Sequence, residues 1–135
     1  PPGPRPNGIP LLIGAGQPRM LRLTAHYADI WNTVWYGDAA ELNGPVADIK
    51  NACADVGRDP TTLQITAGIE MILPELGETS PMSAAPLTGT AEELAVALRA
   101  YEQAGVSHLM ITHSPTTAAA LERVAEAVRV YRKTS

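Results

Sequence analysis

The chain has 135 residues, 45% hydrophobic and 18% charged, a composition that fits one globular domain and excludes a disordered chain. Fourteen acidic against ten basic residues give a net charge of −4, and the basic residues are scattered, which excludes the basic stripe of a nucleic-acid binder. No apolar run nears the roughly 18 residues of a membrane span, no charged-then-apolar leader opens the chain, and the single cysteine, Cys53, allows no internal disulfide and no cysteine-rich metal centre.

These features favour the cytoplasm, with neither nucleic acid nor membrane as partner. The chain opens on Pro1 rather than Met, which fits a processed piece and a removed initiator Met equally. Residues 1–8, with prolines at positions 1, 2, 4 and 6, read as an extended linker, because proline interrupts helices and donates nothing to a sheet. The rest, residues 9–135, reads as one unit of alternating strands and helices.

The first strand is expected over residues 9–13, a short apolar run of the kind found in buried parallel strands. The turn Gly14-Ala15-Gly16-Gln17 follows, and Pro18 suits the first turn of a helix running to about Tyr27. A second strand is expected over residues 29–33, then a loop holding Gly37 and Asp38. The second helix carries Val46, Ile49, Cys53 and Val56 at helical spacing and ends near Gly57. Asp59-Pro60 marks a turn. From Leu63 to Leu73 the odd positions are apolar and most even ones are not, which predicts a strand. A loop rich in Pro, Ser and Gly spans residues 74–86. Thr90 and Glu93 form a candidate capping box at the start of the third helix, whose stripe is Leu94, Leu98 and Tyr101. The fourth strand is expected over residues 109–112. Ser114-Pro115 opens the last helix, with Leu121, Val124, Ala125 and Val128 on its packed face. The order β-α-β-α-β-α-β-α predicts an α/β fold with a parallel sheet and right-handed crossovers.

The glycine-rich turn between the first strand and helix is the first candidate site. Glycines let a ligand approach the backbone, and the free N–H groups of a helix start attract an anion. Arg19, one turn in, adds positive charge. The same pattern also serves as a plain tight connection.

Residues 9–32, from Ile9-Pro10-Leu11-Leu12-Ile13-Gly14-Ala15-Gly16-Gln17-Pro18-Arg19 to Ala28-Asp29-Ile30-Trp31-Asn32, closely resemble a signature of luciferase-like monooxygenases. Ile30 stands where that family commonly has Gly. Gly57-Arg58-Asp59-Pro60 is similar to the family's approach to the next strand. Leu87-Thr88-Gly89-Thr90-Ala91-Glu92-Glu93-Leu94, with Ala104-Gly105-Val106-Ser107-His108-Leu109, resembles its late helix and final strand, with Ala91 where Pro is usual. The resemblance implies the C-terminal (β/α)4 half of a TIM-type (β/α)8 barrel, which typically needs about 250 residues in full.

It also implies an oxidoreductase using F420 for hydride transfer or reduced FMN for oxygen activation, the cofactor carrying the chemistry. Gly14, Ala15, Gly16, Gln17 and Arg19 are then the cofactor-phosphate residues. The Gly-x-Gly-x-Pro-Arg form looks most like the F420-using branch. Further pocket positions, at the strand ends, would be residues 32–36, 70–72 and 112–114.

Other residues admit plain readings. His113 at a strand end is a proton donor or an exposed histidine. Glu70 lines a pocket, points to solvent or pairs with a base. Trp31 lies under the cofactor or in the core. Trp35 and Tyr36 wall a pocket or an interface. Cys53 is a buried, inert thiol, and neither His26 nor His108 has a spaced partner for a metal. No catalytic residue is singled out. An open four-stranded half-barrel leaves two strand edges unpaired, so its expected partner is the missing N-terminal half or a second copy of itself. Three functions remain: half of an oxidoreductase, a non-catalytic module binding a phosphorylated cofactor, or a structural piece without ligand.

Overall fold

The computed structural model describes residues 8–133; the expected linker, save Gly8, lies outside them. Four parallel strands, β1 (Leu12–Gly14), β2 (Ile30–Val34), β3 (Gln64–Ile72) and β4 (His108–Ser114), form one sheet in sequential order. Four helices, α1 (Pro18–Tyr27), α2 (Asn43–Asp55), α3 (Ala91–Gln103) and α4 (Ala118–Lys133), connect and follow them. Successive right-handed crossovers in one direction place the helices on one side of the sheet. No helix of the described residues is long and apolar enough to cross a membrane.

The register separates two faces. The rows Ile13↔Trp31↔Ile65 and Ala67↔Leu109 belong to one face, and with Ile69 and Met71 they join the core beneath the helices. The other face carries Gly14↔Asn32↔Thr66↔His108 and Val34↔Gly68↔Met110. Among the described residues no helix covers this second face, and Leu12, Val34 and Met110 are exposed on it.

The expected elements form, with shifted bounds. β1 begins at Leu12 rather than at residue 9: Pro10 has no N–H to give, and the Leu11 N–H bonds the Asp29 carboxylate at 2.7 Å. β4 runs longer than expected, from His108 to Ser114, because its whole length pairs with β3. Both faces of β3 are buried from Ile65 onward, although its sequence alternates.

The packed face of α4 also differs from expectation. Ala120, Val124 and Ala127 are buried, whereas Leu121 is 57% exposed and Ala125 is exposed. Alanines at these positions let the helix approach α3 and β4 closely, and Leu121 is rotated outward.

Local caps fix the helix ends. The Thr90 hydroxyl accepts from the Glu93 N–H and the Glu93 carboxylate accepts from the Thr90 N–H, closing the expected capping box. α2 stops at Gly57, whose φ of +73° suits a residue without a Cβ. The next residue, Arg58, caps the end of α1. Its guanidinium donates to the carbonyls of Ala25 (3.0 Å) and Ala28 (2.6 Å), and to the hydroxyl (2.9 Å) and carbonyl (3.1 Å) of Thr62. Asp59 accepts from Thr61 N and Oγ1, bonds that lower its pKa.

Arg58→Ala strips these donors from the end of α1. Charged hydrogen bonds of this kind are each worth roughly 1.5–3 kcal/mol, so urea denaturation should show a loss of about that size, with Arg58→Lys recovering only part of it.

Candidate functional site

The turn expected to bind an anion joins β1 to α1. Gln17 is the N-cap of α1, with φ −93° and ψ 145°, and makes no side-chain cap bond. Pro18 follows in the first turn, which leaves the N–H groups of Arg19 and Met20 without intrahelical partners. Gly14, Gly16, Gln17 and Arg19 are exposed and Ala15 is half-buried. A Cβ added to Gly16 would meet no atom within 4 Å, so nothing in the fold of the chain itself calls for glycine there. The space is open to a ligand.

Buried residues hold this turn. The Trp31 indole N–H donates to the Ala15 carbonyl at 2.8 Å, and the ring is 1% exposed. Trp31 is therefore a core residue and an anchor of the turn at once. Its neighbours in the same segment work alongside it. The Asp29 carboxylate holds the Leu11 N–H, and Asn32 accepts the Thr66 hydroxyl at 2.9 Å. A small cleft of about 90 Å³ lies beneath the turn, among Ala15, Gly16, Trp31, Thr33, Tyr36 and Asp48. A wider one of about 540 Å³ runs from Gly16 between α1 and α2, past Arg19 and Arg22 to Asp48 and Asp55. Another, of about 300 Å³, lies at the N-terminal end of β4 near Val106 and Leu109, the opposite end of the sheet from the turn.

The other strand-end residues gather at the same end as the turn. Glu70 neither faces solvent nor pairs with a base. It is 3% exposed, and its carboxylate accepts from Met82 N at 3.0 Å and Ser83 N at 2.6 Å. The loop after β3 is thereby folded over the uncovered face. Ser114 Oγ accepts from Ser80 N at 2.9 Å, and the backbones of Glu70, Ile72 and Leu87 bond at 2.8 Å. Gly37 closes the other side: a Cβ there would lie 2.5 Å from the Ala85 carbonyl oxygen, so only glycine permits the contact. Sequence spacing gave no sign of this strap, since Glu70 meets partners 12 and 13 residues on.

Trp35, expected at a pocket wall or an interface, has a backbone state that its sequence does not announce. Its φ of +70° is an unusual backbone state that costs a bulky residue about 1–3 kcal/mol. Its N–H bonds the Gly68 carbonyl at 2.8 Å, and its side chain stays exposed. Beside it the Tyr101 hydroxyl donates to the Tyr36 carbonyl. Burial, then the charges of Asp38 and Glu41, push the Tyr101 pKa up to about 12. His113 turns to the helix side, half-buried, with Nδ1 3.0 Å from the Pro115 carbonyl. Cys53 is fully buried, and burial raises its pKa against a smaller downward pull from Arg58.

Two outcomes follow. Glu70→Leu keeps the bulk and removes the acceptor, leaving two loop N–H groups unpaired. Subtilisin cleavage within residues 77–86 should rise by roughly tenfold as the strap opens locally. For Tyr101, a folded pKa raised from 10 to about 12 means that the native state keeps the proton longer. The stabilisation is full below pH 10 and is lost as pH rises toward about 12. Denaturant titrations across this window should show a decline that Tyr101→Phe removes.

Comparison with known proteins places this geometry. A family model described as luciferase-like monooxygenase matches residues 1–78. Curated proteins gave no match. Among solved structures, an F420-dependent secondary alcohol dehydrogenase in complex with an F420-acetone adduct superposes with TM-score 0.71 at 15% identity, covering 92% of this chain and 49% of that one. The coenzyme F420 dependent tetrahydromethanopterin reductase from Methanopyrus kandleri gives 0.66 at 16% identity, with 90% and 49% covered. A riboflavin lyase with modified FMN and substrate riboflavin gives 0.71 at 12% identity, with 91% and 42% covered. At these identities the likeness is one of fold. The chain spans about half the length of these structures, or less, and its four strands and four helices are half of a TIM-type barrel. With the family model covering 78 of its 135 residues, the chain belongs to the luciferase-like monooxygenase family.

Proposed function

We propose that this chain is the cofactor-phosphate half of a flavin- or F420-dependent oxidoreductase. The observation that carries the reading is the uncapped start of α1, opening on Gly16, where a Cβ would meet nothing within 4 Å. Backbone N–H groups at a helix start, with the positive end of its dipole, suit a phosphate. Gly14, Ala15, Gly16 and Gln17 form the cradle in this reading. Arg19 borders the cleft that leaves it and adds a cation at its rim. Trp31, by holding the Ala15 carbonyl, fixes the cradle before any ligand arrives, so little ordering remains for binding to offset.

A bound F420 supplies hydride transfer, and a bound reduced FMN supplies oxygen activation. The chain's own part is to anchor the phosphate, to orient what extends from it across the uncovered face, and to narrow that face with the strap over Glu70. A second (β/α)4 unit supplies the rest of the cavity. The family and the neighbours named for F420 and FMN support the cofactor class.

The reading is tested by titrating the chain with F420 and with FMN, followed by fluorescence. Micromolar binding is expected, tighter for the true cofactor. Gly16→Asp, which puts a negative charge in the cradle, should abolish it, and Trp31→Phe, which frees the Ala15 carbonyl, should weaken it severalfold. No binding of either compound would leave the chain a structural half without a ligand of its own.

A further inference from the structure

We propose that the phosphate held at the Gly14–Gln17 turn is a phosphodiester, and that the cleft between α1 and α2 takes the arm lying beyond it. This assignment rests on the cofactor-phosphate reading and deepens it by naming the class of phosphate, one esterified on both sides.

The cleft starts where the turn does, since Gly16 lines it. From there it runs between two helices, with Arg19 and Arg22 of α1 on one wall and Asp48, Asn51 and Asp55 of α2 on the other. Consecutive helices supply both walls, and no strand residue lines it. Its volume of about 540 Å³ lies within the roughly 300–1,000 Å³ of small-molecule sites. A phosphate that ends at the turn leaves all of this space to water. A phosphate esterified on both sides has a second arm to place in it.

The charged side chains along the cleft are not used within the fold. Among the described residues, Arg19, Arg22, Asp48 and Asp55 make no ion pair and no side-chain hydrogen bond. Arg58, Arg99 and Arg123, by contrast, each bind a backbone carbonyl or a carboxylate. Cations on one wall and carboxylates on the other thus share a cleft without meeting. Such walls suit a ligand whose own groups bridge them, with acidic acceptors toward the arginines and N–H or O–H donors toward Asp48, Asn51 and Asp55. Pro18, Leu21 and Ala52 add an apolar part to the lining, against which the carbon skeleton of the arm packs. Asp48 discriminates between the two kinds of phosphate. With Gly16 it lines both this cleft and the small one beneath the turn. A phosphate monoester carries roughly −1.5 to −2 charges at pH 7, a diester about −1. A carboxylate beside the turn therefore penalises the monoester more.

FMN and F420 are the two probes. FMN ends in a phosphate monoester, whereas the phosphate of F420 is a diester whose outer arm carries carboxylates. The test titrates the protein with each, followed by cofactor fluorescence, and repeats both titrations with Asn51→Trp and Asp48→Asn. Both positions are exposed, so neither change reaches the core. Wild-type protein should bind F420 more tightly than FMN; the reverse order overturns the inference. Asn51→Trp fills the cleft and leaves the turn as it is, so F420 affinity should fall about tenfold while FMN affinity holds. Asp48→Asn should raise FMN affinity about two- to fivefold, the scale of a screened surface charge, and change F420 affinity by less. F420 binding that is indifferent to Asn51→Trp overturns the inference and leaves the functional reading standing, because the phosphate is then held with nothing in the cleft. An equal loss of both compounds in Asn51→Trp, or an FMN affinity unmoved by Asp48→Asn, overturns it in the same way. Binding of neither compound to the wild-type protein removes the functional reading and this inference with it.

Discussion

One hydrogen bond ties the candidate site to the core: the indole N–H of Trp31 on the carbonyl of Ala15. A buried donor of this kind must find an acceptor, and leaving it unmade costs about 1–3 kcal/mol. Trp31 finds its acceptor in the exposed turn rather than in another core group. The packing that keeps the ring in place, between Ile13 and Ile65 in the sheet register, therefore also keeps the turn in place. The glycines are free to be open because their rigidity comes from beneath.

The residues that resemble a family signature read differently once their partners are known. In Ala28-Asp29-Ile30-Trp31-Asn32, the Ala28 carbonyl takes Arg58, Asp29 takes Leu11, Trp31 takes Ala15 and Asn32 takes the Thr66 hydroxyl. Each reaches across to another element. The segment is a junction that sets the height of β1 and the end of α1, and so the direction in which the first turn of α1 points. Arg58 in Gly57-Arg58-Asp59-Pro60 serves the same helix from its other end. Two separate stretches of sequence thus position one helix, whose N-terminus is the candidate site.

What was legible in the sequence was local. The capping box at Thr90 and Glu93, the stop at Gly57 and the alternation of β3 are each decided within a few residues, and each forms. The parts that were not legible depend on chain far away or on small side chains. Glu70 acquires its role only when residues 82 and 83 fold back over it, and nothing at its own position announces a strap. On α4, Ala120 and Ala127 are buried beside the expected Val124; alanine gives a weak apolar signal but permits close approach, so the larger Leu121 drew the packed face toward itself. At β1, Leu11 and Ile9 look like strand residues, yet the Leu11 N–H goes to the Asp29 carboxylate and Ile9 is exposed. The turn was legible as a connection, through its glycines and the helix start at Pro18; its anchor was not, since an indole and a carbonyl 16 residues apart leave no pattern.

The two faces of the sheet have different degrees of completion, and this bears on what the half can do alone. On the helix side every strand meets a helix, and the core there runs from Leu21 to Ala127. On the other side, among the described residues, only the strap over Glu70 covers the strands, and the Thr66 hydroxyl donates to Asn32 beside exposed Val34 and Met110. A surface with bonded polar groups in one row and bare apolar groups in the next is suited to neither full solvation nor a dry core. It is suited to a cavity wall, where a ligand and an opposing wall take the apolar row and the polar row keeps its internal bonds. The proposed phosphate cradle sits where these two sides meet, at the C-terminal end of β1. It draws its rigidity from the finished side and opens toward the unfinished one, so anchoring a ligand and enclosing it are separate tasks in this chain.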